Sequence, residues 1–227
     1  MVLKELLAQV PGVLETRGDM DTVIDSLITD SREKTQNGLF FCISGLRFDA
    51  HTFAAQACEN GCTALVVERF VDAPAVQVKV QNARSAMAYI ASAFYGNPAK
   101  DLRMVGVCGT KGKTTTSYLM KAILEKAGFK TGLIGTTGNM IGDKHLPSNM
   151  TTPDPVDLHR CLRQMVDEGV QVVSMEVSAH AVDMHRLDGI TFEAAGYTNF
   201  SQDHLDYFGT MENYFQAKKS FFTGGGV

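Results

Sequence analysis

Apolar residues in the first hundred positions follow two spacings. LFFCI (39–43), TALVVE (63–68) and AVQVKV (75–80) are short runs rich in β-branched and aromatic residues, and they predict strands. HTFAAQACENG (51–61) and ARSAMAYIASAFYG (83–96) carry apolar residues three and four apart and each reaches a glycine, which predicts helices. From residue 102 the pattern becomes a strand–helix repeat: LRMVGV, TTTSYLMKAILEKAG, KTGLIGT, VDLHRCLRQMVDEG and VQVVSMEV. Strands alternating with helices predict a parallel sheet covered on both faces. The turn-rich NPAKD (97–101) reads as a linker. The expected class is therefore α/β, with a small N-terminal domain over 1–98 and a parallel-sheet domain over 99–227. The helical YFQAKKSFF is followed only by TGGGV, so the last strand–helix unit is expected to be incomplete.

Composition narrows the class further. Hydrophobic residues make up 44% and charged residues 20%, the balance of a soluble globular protein. A net charge of −4 supplies no basic field for nucleic acid, so any anionic ligand must be held by local groups. The N-terminal MVLKELLAQV lacks a signal-peptide pattern, and no apolar run is long enough for a membrane helix. The five cysteines form no CxxC and are odd in number, which suits reduced thiols in the cytoplasm. A cytoplasmic monomer is expected, with neither a nucleic-acid nor a membrane partner.

The segment GVCGTKGKTT (106–115) sits between an apolar strand and a helix. This geometry presents free backbone N–H groups and the positive helix end to phosphate. Gly109 to Thr115 form the candidate nucleotide loop. Gly112 lets the backbone approach, Lys113 reaches the β/γ-phosphates, and the Thr114 hydroxyl suits Mg²⁺. The pattern departs from the strict GxxxxGK[ST] spacing, which asks for glycine where Val107 stands. A phosphate loop also needs an acid at the end of a neighbouring strand, and VQVVSMEV supplies Glu176.

These residues resemble the Mur ligases of peptidoglycan synthesis, whose loop reads GxxGTNGKTT; here Lys111 replaces the asparagine. Within that family the likeness is greatest to the type that adds a diamino acid to UDP-N-acetylmuramoyl-L-alanyl-D-glutamate. DSREKTQNGLFFCISG (30–45), TTPDP (151–155), MEVSAHAVDMHRL (175–187) and TNFSQDHLDYFGTMENYFQAK (198–218) carry it across the chain. Ala179, Met184 and Met150 stand where the family places polar residues. The phosphate loop alone is shared with folylpolyglutamate and cyanophycin synthetases, so another amide ligase of that kind is an alternative. A non-catalytic substrate-binding remnant is a second.

The resemblance implies two domains of a three-domain enzyme, the third being absent here. It also implies ATP and Mg²⁺ as cofactors, and an acyl phosphate formed on the muramoyl dipeptide and attacked by the diamino acid, either meso-diaminopimelate or L-lysine. It makes Lys113, His204 and Lys218 catalytic, with Thr114, Glu176, His204 and a carbamylated Lys218 around the metal ions. Without the resemblance, His204 reads as a capping or core histidine. Helical periodicity does not choose between Lys218 and Lys219; only the family's Ala-Lys pattern selects Lys218. For the UDP-sugar and peptide, the matching positions are Thr29, Ser31, Leu46, Arg47, Phe48, Thr151, Thr152, Ser178 and Arg186.

Overall fold

The computed structural model describes residues 1–45, 48–148, 150–224 and 226–227. The chain divides into two compact units, Met1–Phe94 and Tyr95–Val227.

The first unit is built on β1 (Val13–Arg17), β2 (Ser26–Ile28), β3 (Gly38–Phe41), β4 (Cys62–Val67) and β5 (Val76–Val80), with α1 (Leu3–Leu7), α2 (Ala54–Glu59) and α3 (Ala83–Phe94). Its sheet order is β1-β5-β4-β3-β2. The pairs from β2 to β5 are parallel, and β1 closes one edge antiparallel to β5. Every residue of β3 is buried, as its unbroken apolar run requires. The alanine-rich α3 buries Ala83, Ala86, Ile90 and Ala91 and packs against α1. Small side chains at that helical spacing allow close approach without a cavity.

The second unit contains β6 (Arg103–Cys108), α4 (Lys113–Lys126), β7 (Thr131–Gly135), β8 (Gly138–Ile141), β9 (Lys144–Leu146), α5 (Pro155–Asp167), β10 (Val172–Val177), α6 (Ala179–Asp183), β11 (Ala194–Tyr197), α7 (Leu205–Phe208) and α8 (Met211–Thr223). Its sheet order is β11-β6-β10-β7-β8-β9. The four strands from β11 to β7 are parallel. The expectation of a wholly parallel sheet is corrected at the far edge, where β8 and β9 form an antiparallel hairpin on β7. A two-residue Gly142-Asp143 turn joins them, with Gly142 left-handed at φ 54°, a connection that reverses the chain without a crossover helix.

The turn-rich segment 97–101 contains a 3₁₀ turn (Pro98–Asp101), which packs on α5. One core joins Met104 and Cys108 of β6, Met175 of β10, Leu158, Leu162 and Met165 of α5, and Phe221 of α8. Burial of such side chains supplies about 1.5–3 kcal/mol each, and here it fixes the sheet whose strand ends carry the site.

Candidate phosphate-loop site

The site lies beyond the carboxyl ends of β6, β7, β10 and β11, where an open parallel sheet leaves a crevice. β6 ends at Cys108, and α4 begins at Lys113 with the left-handed Gly112 as its N-cap. Between them Gly109 has φ 140°, and a Cβ there would stand 2.0 Å from Thr198 Oγ1. The loop is thus pressed against the segment after β11 and admits only glycine at this point.

Several hydrogen bonds make that contact specific. The Thr110 N–H donates to Asn199 O (2.9 Å), and the Lys111 N–H donates to Asn199 Oδ1 (3.1 Å). Thr198 Oγ1 and Asn199 Nδ2 both donate to Lys111 O, at 2.7 and 2.9 Å. Lys111 Nζ pairs with Asp203 Oδ2 at 3.0 Å, which holds that carboxyl below its ordinary range.

Glu176 occupies the end of β10, between β6 and β7, and is fully buried. Its carboxylate accepts from Thr114 Oγ1 (3.0 Å), the Thr136 N–H (3.1 Å) and Thr136 Oγ1 (3.1 Å). Gly135 makes room for it, since a Cβ there would lie 2.2 Å from Glu176 Oε1. A buried carboxylate without such donors would be costly, so three donors converging on it mark a built feature.

Lys113 Nζ donates to Gly109 O (2.9 Å) and Thr110 O (3.0 Å). Burial lowers its pKa, with the neighbouring Lys218 ammonium adding to the shift. Lys218 is 1% exposed, donates to the same Gly109 O at 2.8 Å, and lies over the Tyr214 ring at 4.6 Å. Burial lowers its pKa as well. Lys219, by contrast, is exposed. Lys218 therefore braces the loop from behind, with Tyr214 and Phe221 on the same buried face of α8.

A cavity of about 550 Å³ opens in front of the loop. It gathers Thr110, Lys111, Gly112, Lys113, Thr114, Thr151, Thr152, Glu176, Ser178, Arg186 and His204 of the expected residues, and also Thr136, Met150, His180 and Met184. Gly109, Thr115 and Lys218 are not among its lining residues. The Thr152 hydroxyl is already engaged, donating to Glu176 O (2.9 Å) and accepting from the Ser178 N–H (3.1 Å). Ser178 caps α6 by accepting from the Ala181 N–H. Arg186 donates from Nη1 to Thr152 O at 2.7 Å, and its Nε forms an ion pair with Asp154 Oδ1 at 2.9 Å. Its two terminal nitrogens also meet the sulfurs of Met150 and Met184, so these methionines form part of the guanidinium's seat.

His204 is left-handed (φ 53°) and forms the N-cap of α7. Its ring meets His180 edge-on at 4.7 Å, and burial together with the His204 ring lowers the His180 pKa. Thr136 is the participant that the sequence reading missed. KTGLIGT places its hydroxyl directly after a strand, but nothing local marks it out, since its role depends on Glu176 forty positions on. Among the described residues no three His, Cys, Asp or Glu side chains converge in metal-ligand geometry.

In the first unit the expected UDP positions are scattered in character. Thr29 is exposed after β2, and Phe48 is 73% exposed. Ser31 is buried and donates to Gln56 Oε1 (2.8 Å), while its carbonyl accepts from Asn60 Nδ2 (2.8 Å). Leu46 and Arg47 lie outside the described residues. All five cysteines are free thiols. Among the described residues no helix is long and apolar enough to cross a membrane.

A glycine-rich turn between a parallel strand and a helix, with a buried acid on the adjacent strand, defines a phosphate-loop α/β protein. The family model for the Mur ligase middle domain matches residues 107–226, and the chain belongs to that family. It is 47% identical over 222 residues to the UDP-N-acetylmuramoyl-L-alanyl-D-glutamate–2,6-diaminopimelate ligase of Geobacillus thermodenitrificans, covering 98% of this chain and 45% of the relative. The enzyme of the same name (copy 1) from Clostridium acetobutylicum is 42% identical over 224 residues, covering 98% and 46%. A solved structure of a ligase with that name superposes with a TM-score of 0.84 at 28% identity, over 98% of this chain and 45% of the other. A MurF ligase from Thermotoga maritima, solved in complex with ADP, gives a TM-score of 0.56 at 26% identity, over 85% and 42%. The chain thus spans a little under half the length of these relatives.

Proposed function

We propose that this chain carries the nucleotide-binding and acceptor-binding parts of an ATP-dependent amide ligase. The acceptor is UDP-N-acetylmuramoyl-L-alanyl-D-glutamate and the added amine is 2,6-diaminopimelate. The observation that carries the reading is the meeting of Lys113, Thr114 and Glu176 at the mouth of a cavity whose other wall holds Arg186. The names of the relatives support the choice of substrates, and the ADP complex of the Thermotoga maritima ligase supports the nucleotide.

The chemistry asks the residues for two things. Phosphoryl transfer to a carboxylate brings anions together, so cations and oriented N–H groups must offset their repulsion. The α4 N-terminus and Lys113 supply these, with Lys113 leaving Gly109 O and Thr110 O for phosphate oxygens. The acceptor carboxylate must also be held in line with the phosphate. Arg186 can do so because its Met150 and Met184 contacts are weak ones that a carboxylate readily replaces.

Magnesium fits this arrangement, because the Thr114 hydroxyl and the Glu176 carboxylate already touch and Mg²⁺ needs only one or two protein oxygens beside phosphate. When bound, the ion would neutralise phosphate charge. His204 is placed to face the same cavity from the α7 side. Carbamylation of Lys218 is supported by burial, which favours the neutral amine that CO₂ requires. Its present contact with Gly109 O would repel a carbamate, so the side chain must move for that modification to act. Such a ligase uses a soluble UDP-linked precursor, which assigns it to the cytoplasm.

The test is binding of fluorescent MgADP to residues 1–227. Lys113→Ala should weaken it by about 10–100-fold, the loss of a charge-assisted contact, and should leave UDP-muramoyl-dipeptide binding unchanged. Equal loss of both ligands with the circular dichroism spectrum intact would overturn the assignment of Lys113 to the nucleotide.

A further inference from the structure

A second cavity, of about 420 Å³, lies between the β8–β9 hairpin and α5. Nothing in the ligase reading uses it. Three observations give it the character of a site. Asn139 lines it and is 5% exposed, with Nδ2 on Cys161 Sγ at 3.6 Å and Oδ1 meeting no donor among the described residues. Native interiors rarely leave an amide oxygen in that condition. At the rim, the face of α5 presents Asp157 and Arg160, paired at 2.9 Å and both solvent-exposed, with Arg160 Nε also donating to Tyr95 Oη. Between rim and floor the wall includes the apolar Leu146 and Met150.

We infer that this cavity binds a free amino acid whose aliphatic side chain ends in a nitrogen donor. A zwitterion matches the Asp157–Arg160 pair, its ammonium facing the carboxylate and its carboxylate facing the guanidinium. An exposed pair of this kind contributes little, so a ligand can insert at small cost. The hydrocarbon stem lies along Leu146 and Met150, and the distal N–H reaches Asn139 Oδ1. Lysine and 2,6-diaminopimelate have this form. The choice between them and other amino acids rests on the proposed ligase reading, whereas the site itself does not.

Met150 also lines the phosphate-loop cavity, where its sulfur touches Arg186. The second site is therefore one side chain away from the first. An amino acid held there would fix Met150 and, through it, the guanidinium that faces the acceptor.

The experiment uses residues 1–227 with ¹⁵N-labelled asparagine, titrated with L-lysine, meso-diaminopimelate, norleucine and cadaverine while the side-chain amide signal of Asn139 is followed. Saturable binding of lysine or diaminopimelate is expected. Norleucine, which lacks the distal donor, and cadaverine, which lacks the zwitterion, should each bind at least about tenfold more weakly. Arg160→Gln, an exposed change that leaves the core untouched, should weaken lysine and norleucine alike. Asn139→Leu, if it folds, should erase the difference between them. Norleucine binding as tightly as lysine would overturn the proposal. So would an Asn139 signal that no amino acid moves, the result expected of a cavity that holds structural water only. Repeating the titration in Lys113→Ala separates the two readings, since that variant loses nucleotide and should keep the amino-acid site.

Discussion

His159 sits on the inner face of α5, fully buried, and neither ring nitrogen has a partner among the described residues. Burial pushes its pKa down from 6.5 to about 4. The folded state therefore keeps the ring neutral while the unfolded chain takes up a proton as pH falls below 6.5. The unfolded state then binds more protons between about pH 6.5 and 4, so stability rises with pH across that window and is lost on acidification. Between pH 7 and pH 5 the loss from this one group is about 2 kcal/mol, out of about 3 kcal/mol for the whole shift.

Replacement by leucine removes the titration and the two orphaned nitrogens while keeping an apolar side chain of similar size. Unfolding in urea followed by tyrosine fluorescence reports on the second unit. The chain has no tryptophan, and of its six tyrosines only Tyr89 lies in the first unit. His159→Leu should lose about 2 kcal/mol less than the parent between pH 7 and pH 5. It should also be more stable at pH 7, because a buried polar group without a partner costs about 1–3 kcal/mol. Parallel loss of stability in the two proteins would refute the claim that His159 is held neutral by burial.

Two further outcomes follow from the loop. Gly135→Ala places a methyl group against Glu176 Oε1 and should displace the carboxylate, weakening MgADP binding by about tenfold or more while nucleotide binding without Mg²⁺ changes less; equal effects with and without the ion would remove Glu176 from the metal. Lys218→Met should destabilise the second unit's urea transition by about 1–3 kcal/mol, through loss of the buried contact with Gly109 O, whereas Lys219→Ala, at an exposed position, should shift it by less than about 0.5 kcal/mol.

Much of this arrangement is written in the sequence, and the omissions have physical causes. The strands β3, β4, β6, β7 and β10 announce themselves because a strand covered on both faces is nearly continuously apolar. β1 gives no such signal, since all five of its residues are exposed on an edge. β11 is AAGY, too small and too polar in setting to stand out, and it is identified only by its pairing with β6. The loop residues were legible because their glycines and lysines have few other reasons to stand between a strand and a helix. Thr136 was not, because a threonine after a strand is common and its role depends on Glu176, forty positions away. Periodicity left Lys218 and Lys219 equivalent; packing of Tyr214 and Phe221 turns only Lys218 inward.

The Gly109 carbonyl explains why this loop is held ready rather than merely present. One oxygen accepts from both Lys113 and Lys218, and each ammonium is partly stripped of water, which lowers both pKa values. Two ammonium groups beside one carbonyl repel each other, and an anion in the cavity would offset that repulsion. Lys113 is the one that can leave, because it lines the cavity while Lys218 does not. On the proposed nucleotide reading, phosphate at the α4 N-terminus would gain a cation whose release from Gly109 is favoured by the lysine left behind. The segment after β11 shares in this, because its Thr198 and Asn199 hold the Lys111 carbonyl while Lys111 holds Asp203, the neighbour of His204. Loop, buried lysine and the segment that carries His204 are thus joined by hydrogen bonds through residues 109–111.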